Sequence, residues 1–79
     1  MKLRPAVIEA LSRHGIRASP GDTAESLRER LNELYLEDVR RLRQRQRSAE
    51  IPLSEYAGRV EALKRGYPLL ALPVSQWVE

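Results

Sequence analysis

Apolar residues recur at spacings of three and four along most of this chain, which is the period of α-helices with one face turned to a core. The first such segment runs over residues 5–14. Val7, Leu11 and His14 share one face, with Leu3 leading in and Ile8 and Ala10 beside it. Pro5 suits a first helical turn, where its missing N–H is not needed. Gly15 is placed for the left-handed residue that closes a helix, and Ile16 for the apolar contact back onto Leu11 that accompanies a Schellman motif. Residues 17–22 read as a loop, with Pro20-Gly21 at the centre of a type II turn whose positive φ the glycine supplies. Asp22 or Thr23 then caps a second helix, Asp22 and Glu25 having the spacing of a capping box.

That second helix is the dominant element, expected over residues 23–48. Leu27, Leu31, Leu34, Tyr35, Val39 and Leu42 form its broad apolar face. About 25 residues at a 1.5 Å rise make it roughly 38 Å long. The flanking helices are nearer half that length. The first is therefore expected on its front half and the third on its rear half. Proline disfavours helix in the residue before it, so Ile51 ahead of Pro52 is expected to be extended and to plug the connecting turn. A third helix follows over residues 53–65, with Leu53, Tyr56, Ala57, Val60 and Leu63 on one face and Gly66 and Pro68 as stop signals. The tail beyond, from Leu69 to Val74 with Trp77 and Val78, is apolar enough to fold back over the bundle. The expectation is a single all-α domain over residues 1–79, a small three-helix bundle with a long central helix and an apolar C-terminal tail packed on it.

Composition narrows the chemistry. At 79 residues the chain is near the lower limit for a fold held by its core alone. Hydrophobic residues are 42% and charged residues 32%, the balance of a globular protein rather than a disordered one. Without cysteine there are no disulfides and no thiolate zinc site. No apolar run approaches the ~20 residues that span a bilayer, and no signal-peptide pattern opens the chain, so a cytoplasmic location is expected. The lack of cysteine, the single asparagine and the lone initiator methionine fit a thermophilic origin.

The basic residues are almost all arginine, with only Lys2 and Lys64 as lysines. A GC-rich genome would encode the same bias. Five arginines, Arg40, Arg41, Arg43, Arg45 and Arg47, crowd the end of the long helix. Arg40, Arg43 and Arg47 fall opposite the leucine stripe and could lie along a phosphate backbone. The helix dipole explains their position as well, because Glu25, Glu29, Glu33 and Glu37 precede them toward the positive end. Aromatic residues that would stack bases are not interleaved with them.

Asp38 stands inside the apolar stripe, where an unpaired buried carboxylate costs several kcal/mol. It is therefore expected to reach an arginine or a tyrosine hydroxyl. Tyr35, Tyr56 and Tyr67 read as residues at the edge of the core with hydroxyls in water. His14, the lone histidine, lies where a helix C-terminus favours its charged form. It has no converging partners for catalysis, and neither a nucleophile elbow nor a glycine-rich phosphate loop is present. No enzymatic activity, cofactor or metal is expected.

Two stretches resemble known families. Residues 36–65 resemble the short bacterial helical hairpins of the SHOCT type, through Ala49, Ile51, Glu55 and Tyr56 followed by Val60 and Leu63. Those hairpins usually carry glycine at the position of Ala49 and a hydroxyl cap at that of Pro52. The resemblance implies a small accessory module for oligomerisation or binding. Residues 7–31 are similar to the SAP-type DNA-binding helix pair in Gly15-Ile16, Gly21 and Leu27-x-x-Arg30-Leu31. Here the loop is two residues longer, and Asp22-Thr23 replaces the expected basic residue, where the carboxylate would repel a phosphate.

A stripe longer than either neighbouring helix leaves apolar surface to cover, and such surface marks interfaces. The sequence thus reads as a non-enzymatic accessory or interaction module that self-associates through the long helix, with a protein partner and no membrane. Leu36, Asp38, Val39, Leu42, Leu70, Leu72 and Trp77 are the candidate interface residues. The alternative is a nucleic-acid-binding protein acting through Arg40, Arg43 and Arg47.

Overall fold

The computed structural model describes residues 2–79 as an all-α bundle of three helices. These are α1 (Pro5–Arg13), α2 (Ala24–Arg47) and α3 (Leu53–Arg65), followed by two 3-10 turns at Pro68–Ala71 and Val74–Gln76. The element boundaries follow the stop signals in the sequence. His14 caps α1, Gly15 takes φ 75°, and the amides of Gly15 and Ile16 donate to the carbonyls of Ser12 at 2.9 Å and Leu11 at 3.0 Å. This is the Schellman pattern, with Ile16 and Leu11 both buried in the core.

The start of α2 differs in detail from expectation. Of the two expected caps Thr23 is the one used, and it forms the capping box with Ser26 in place of an Asp22–Glu25 pair. The Ser26 amide donates to Thr23 Oγ1 at 3.0 Å and the Thr23 amide to Ser26 Oγ at 2.9 Å. Asp22 is thereby released to hold the turn before it, accepting the Ser19 amide at 2.8 Å while its own amide donates to the Ser19 carbonyl at 2.9 Å. With both ends of that turn tied by Asp22, Gly21 has no need of a positive φ and does not adopt one, so the turn is not type II.

The end of α2 repeats the closure of α1 with a less suitable residue. The amides of Ala49 and Glu50 donate to the carbonyls of Gln46 at 3.1 Å and Arg45 at 3.0 Å, and Ala49 takes φ 63°. Two residues on, Ile51 is 1% exposed and fills the inside of the turn, apart from the main core. The chain then reverses into α3.

The main core gathers at one end of the molecule. Val7 and Leu11 of α1 meet Ala24, Leu27 and Leu31 of α2, and the tail closes over them with Leu69 and Trp77. Trp77 is wholly enclosed, and its indole N–H donates to the Leu69 carbonyl at 3.3 Å. The two chain ends are stitched beside it by an antiparallel bridge between Leu3 and Val78, with the Arg4 amide donating to the Trp77 carbonyl at 3.0 Å. All three fully buried residues of α2 belong to its first third, and α3 has none. On α3 the covered line is Tyr56, Val60 and Leu63, each half-buried. Leu53 and Ala57 lie at the edge of that line and are exposed, Leu53 by 72%, although the sequence pattern places them on the same face.

The result is elongated, 45 × 18 × 17 Å with a radius of gyration of 14.7 Å. A compact domain of this length would have about 12 Å. The excess is the two-helix hairpin of rear α2 and α3, which projects beyond the core.

Ala49 occupies a conformation that costs a non-glycine residue about 1 kcal/mol or more. Replacing it by glycine is expected to raise stability by about 0.5–1 kcal/mol, read as a higher denaturation midpoint at an unchanged slope.

Candidate interaction surface on the long helix

Charge and apolar residues sort around α2 by their angular position, each residue advancing about 100°. The face turned to α1, α3 and the tail carries Leu27, Leu31, Tyr35, Asp38 and Leu42. Asp38 is satisfied there. Tyr67 Oη donates to its Oδ2 at 2.5 Å, and Arg41 Nη1 stands 3.7 Å from its Oδ1. The stripe thus admits a carboxylate because Tyr67, two residues past the end of α3, returns a hydroxyl to it.

Tyr67 corrects the expectation of a hydroxyl in water. It is 7% exposed, meets Tyr35 edge-on at 5.4 Å and stacks on the His14 ring at 4.5 Å. His14 Nε2 lies 3.0 Å from the Gly66 carbonyl, so its ring ties the end of α1 to the end of α3. Nothing in the local sequence spacing announced this group, because its members come from three elements. Burial, reinforced by the Asp38 carboxylate, pushes the Tyr67 hydroxyl up from 10.0 to about 12, Arg41 opposing the shift. Beside it is a recess of about 280 Å³ between Arg28, Asn32, Lys64 and Leu70. Arg28 donates through Nη2 to the Leu70 carbonyl at 3.1 Å, and its Nε is buried without a hydrogen-bond partner.

The predicted interface residues do not form one surface. Trp77 must be removed from the set, because a wholly enclosed side chain offers a partner nothing. Leu36 and Asp38, two positions apart, project about 200° from each other, and Asp38 is engaged by Tyr67. Leu36, Val39, Leu42 and Leu70 are half-buried, and Leu72 is 37% exposed. Of these, Leu36 and Val39 border the outer side of α2, where Arg40, Arg43 and Arg47 form an exposed row. Among the described residues no helix is long and apolar enough to cross a membrane, and no three histidine or carboxylate side chains converge on a metal position.

Ion pairing divides the charges of α2 further. Arg40 pairs with Glu37 at 3.3 Å, Arg41 with Asp38 at 3.7 Å and Arg45 with Glu50 at 3.4 Å. Among the described residues Glu25, Glu29, Glu33, Arg43 and Arg47 have no ionic partner within 4.0 Å. Comparison with protein-family models, curated proteins and solved structures returns no match to this chain.

The raised Tyr67 value sets a pH dependence. The folded state holds its phenol proton more tightly than the unfolded chain, so this contribution is complete below about pH 10 and is lost as pH rises through about 12. Tyr67→Phe is expected to cost about 1–2 kcal/mol at neutral pH, by leaving Asp38 without its donor. It should also flatten the fall in stability between those pH values, measured by denaturant unfolding across the alkaline range.

Proposed function

We propose that this chain is a small non-enzymatic accessory module that self-associates through the outer side of its long helix. The observation that carries this reading is the uncovered hairpin. Rear α2 and α3 contribute no fully buried residue, and on the outer side of α2 Leu36 and Val39 stay only half-covered. Leu36 and Val39 border the outer side of α2, and a helix supplied by another molecule lying there removes their exposed part from water. The engagement of His14 with Gly66 and Tyr67 supports a non-catalytic reading, because the chain's lone histidine is used in holding helix ends together.

A second reading has its own observation. Arg43 and Arg47 are exposed and free of ionic partners, in a row with Arg40, which suits a phosphate backbone. Acidic Glu29 and Glu33 continue the same outer side of the helix and would repel the next phosphates along, so self-association is preferred.

Sedimentation equilibrium from low to high micromolar concentration tests the first reading. The wild type is expected to dimerise, and Leu36→Glu to weaken the dimer at least about tenfold with helical circular dichroism retained. A compact monomer at high micromolar concentration overturns it. The second reading instead predicts binding to duplex DNA that falls steeply with salt and weakens when Arg40, Arg43 and Arg47 become glutamine. Absence of binding even at low salt removes that alternative.

A further inference from the structure

Four of the charges of α2 that have no ionic partner are arranged with a symmetry that a single molecule does not use. Glu25 and Arg47 stand eleven positions before and after Leu36, and Glu29 and Arg43 stand seven before and after it. At 100° per residue, these four and Leu36 fall within a sector of about 40° on the outer side of the helix. Asn32 and Val39 lie on its near edge. Every charge in that sector lacks an ionic partner among the described residues, while Arg40, Arg41 and Arg45 beyond its edge are paired within the chain. A helix face whose acidic half and basic half are equidistant from an apolar centre is complementary to its own reversed copy.

We propose that a second copy of this chain lies antiparallel across this face. The two-fold axis passes beside Leu36, so that Glu25 and Glu29 of each copy meet Arg47 and Arg43 of the other. This orientation rests on the self-association reading above and adds its direction and register. A parallel pair would set Glu29 against Glu29 and Arg43 against Arg43, a repulsion at every level of the helix. The antiparallel pair brings Leu36 onto Leu36, and a two-fold axis satisfies each contact twice. Such exposed pairs select orientation more than they supply affinity, and their selection weakens as salt screens them.

Glu29 and Arg43 are exposed, unpaired and outside the first and last turns of α2, so reversing either leaves the fold in place and costs little in dipole interaction. Glu29→Lys alone and Arg43→Glu alone are each expected to weaken the dimer about tenfold or more at low salt. Mixing the two variants is expected to restore an affinity within about threefold of wild type, because each junction then pairs opposite charges. The chain has no cysteine of its own, so disulfide trapping reports direction independently. Under mild oxidation a mixture of Glu29→Cys and Arg43→Cys chains should yield the mixed dimer, and Glu29→Cys alone should stay uncrosslinked. A dimer unmoved by the single reversals, or one in which Glu29→Cys crosslinks with itself, overturns the antiparallel register and leaves self-association standing. A wild type that remains monomeric overturns both.

Discussion

The enclosure of Trp77 is the contact on which the rest of this fold depends. A chain this short has little apolar area to bury, and three helices of unequal length leave the front of α2 open on one side. The indole closes that opening, its N–H satisfied by the Leu69 carbonyl inside the tail itself. Its position also brings the chain termini together, because the Trp77 carbonyl accepts the Arg4 amide and Val78 bridges to Leu3. α1 is thus fixed at its beginning by the tail and at its end by the His14 ring on Tyr67. Closure at one end has a consequence at the other. All the large closing side chains are spent on the front half, and the hairpin beyond Tyr35 has only Ile51 fully buried.

Asp38 marks the seam between these two regimes. Ahead of it on α2, Leu27 and Leu31 are fully covered. Behind it, Val39 and Leu42 are only half-covered. A carboxylate at this point is tolerated because Tyr67, the residue immediately after the α3 stop, supplies a donor from a buried ring. The same ring is the surface on which His14 stacks, so a polar residue in the apolar stripe registers α1, α2 and the tail against one another. Hydrogen-bonded polar groups of this kind define a unique arrangement that leucine alone would leave less specified.

Elements governed by local rules were legible in the sequence. Gly15 ends α1 in the left-handed conformation, α3 spans Leu53–Arg65 as its periodicity and stop residues require, and Ile51 plugs the turn that Pro52 forces. Features decided by competition between neighbours were less so. Asp22 had two roles open to it, capping α2 or closing the preceding turn, and the second prevailed once Thr23 and Ser26 satisfied the helix end. That choice removed the reason for a positive φ at Gly21. Ala49 takes φ 63°, a conformation that alanine's own preferences do not announce. Long-range identities were not legible. The spacing could place Asp38 in the stripe and require a partner, but only the return of the chain after Gly66 selects Tyr67. For the candidate surface, periodicity gave the residues on α2 without saying which of them the tail covers. Trp77 looked like an anchor for a partner because its chemistry suits either an interface or a core, and small domains need the core first.

The charges of α2 are ordered both along its axis and around it. The macrodipole accounts for acids near Thr23 and bases near Ser48 without regard to which side of the helix they occupy. It therefore does not distinguish the paired charges from the unpaired ones. Yet Glu37, Asp38 and Glu50 engage Arg40, Arg41 and Arg45, while the charges flanking Leu36 at equal distances stay unpaired. Dipole complementarity sets the order of charges along the axis. In the proposed antiparallel pair, a reversed copy of the same helix would face the outer side of α2 with the opposite charges in matching order.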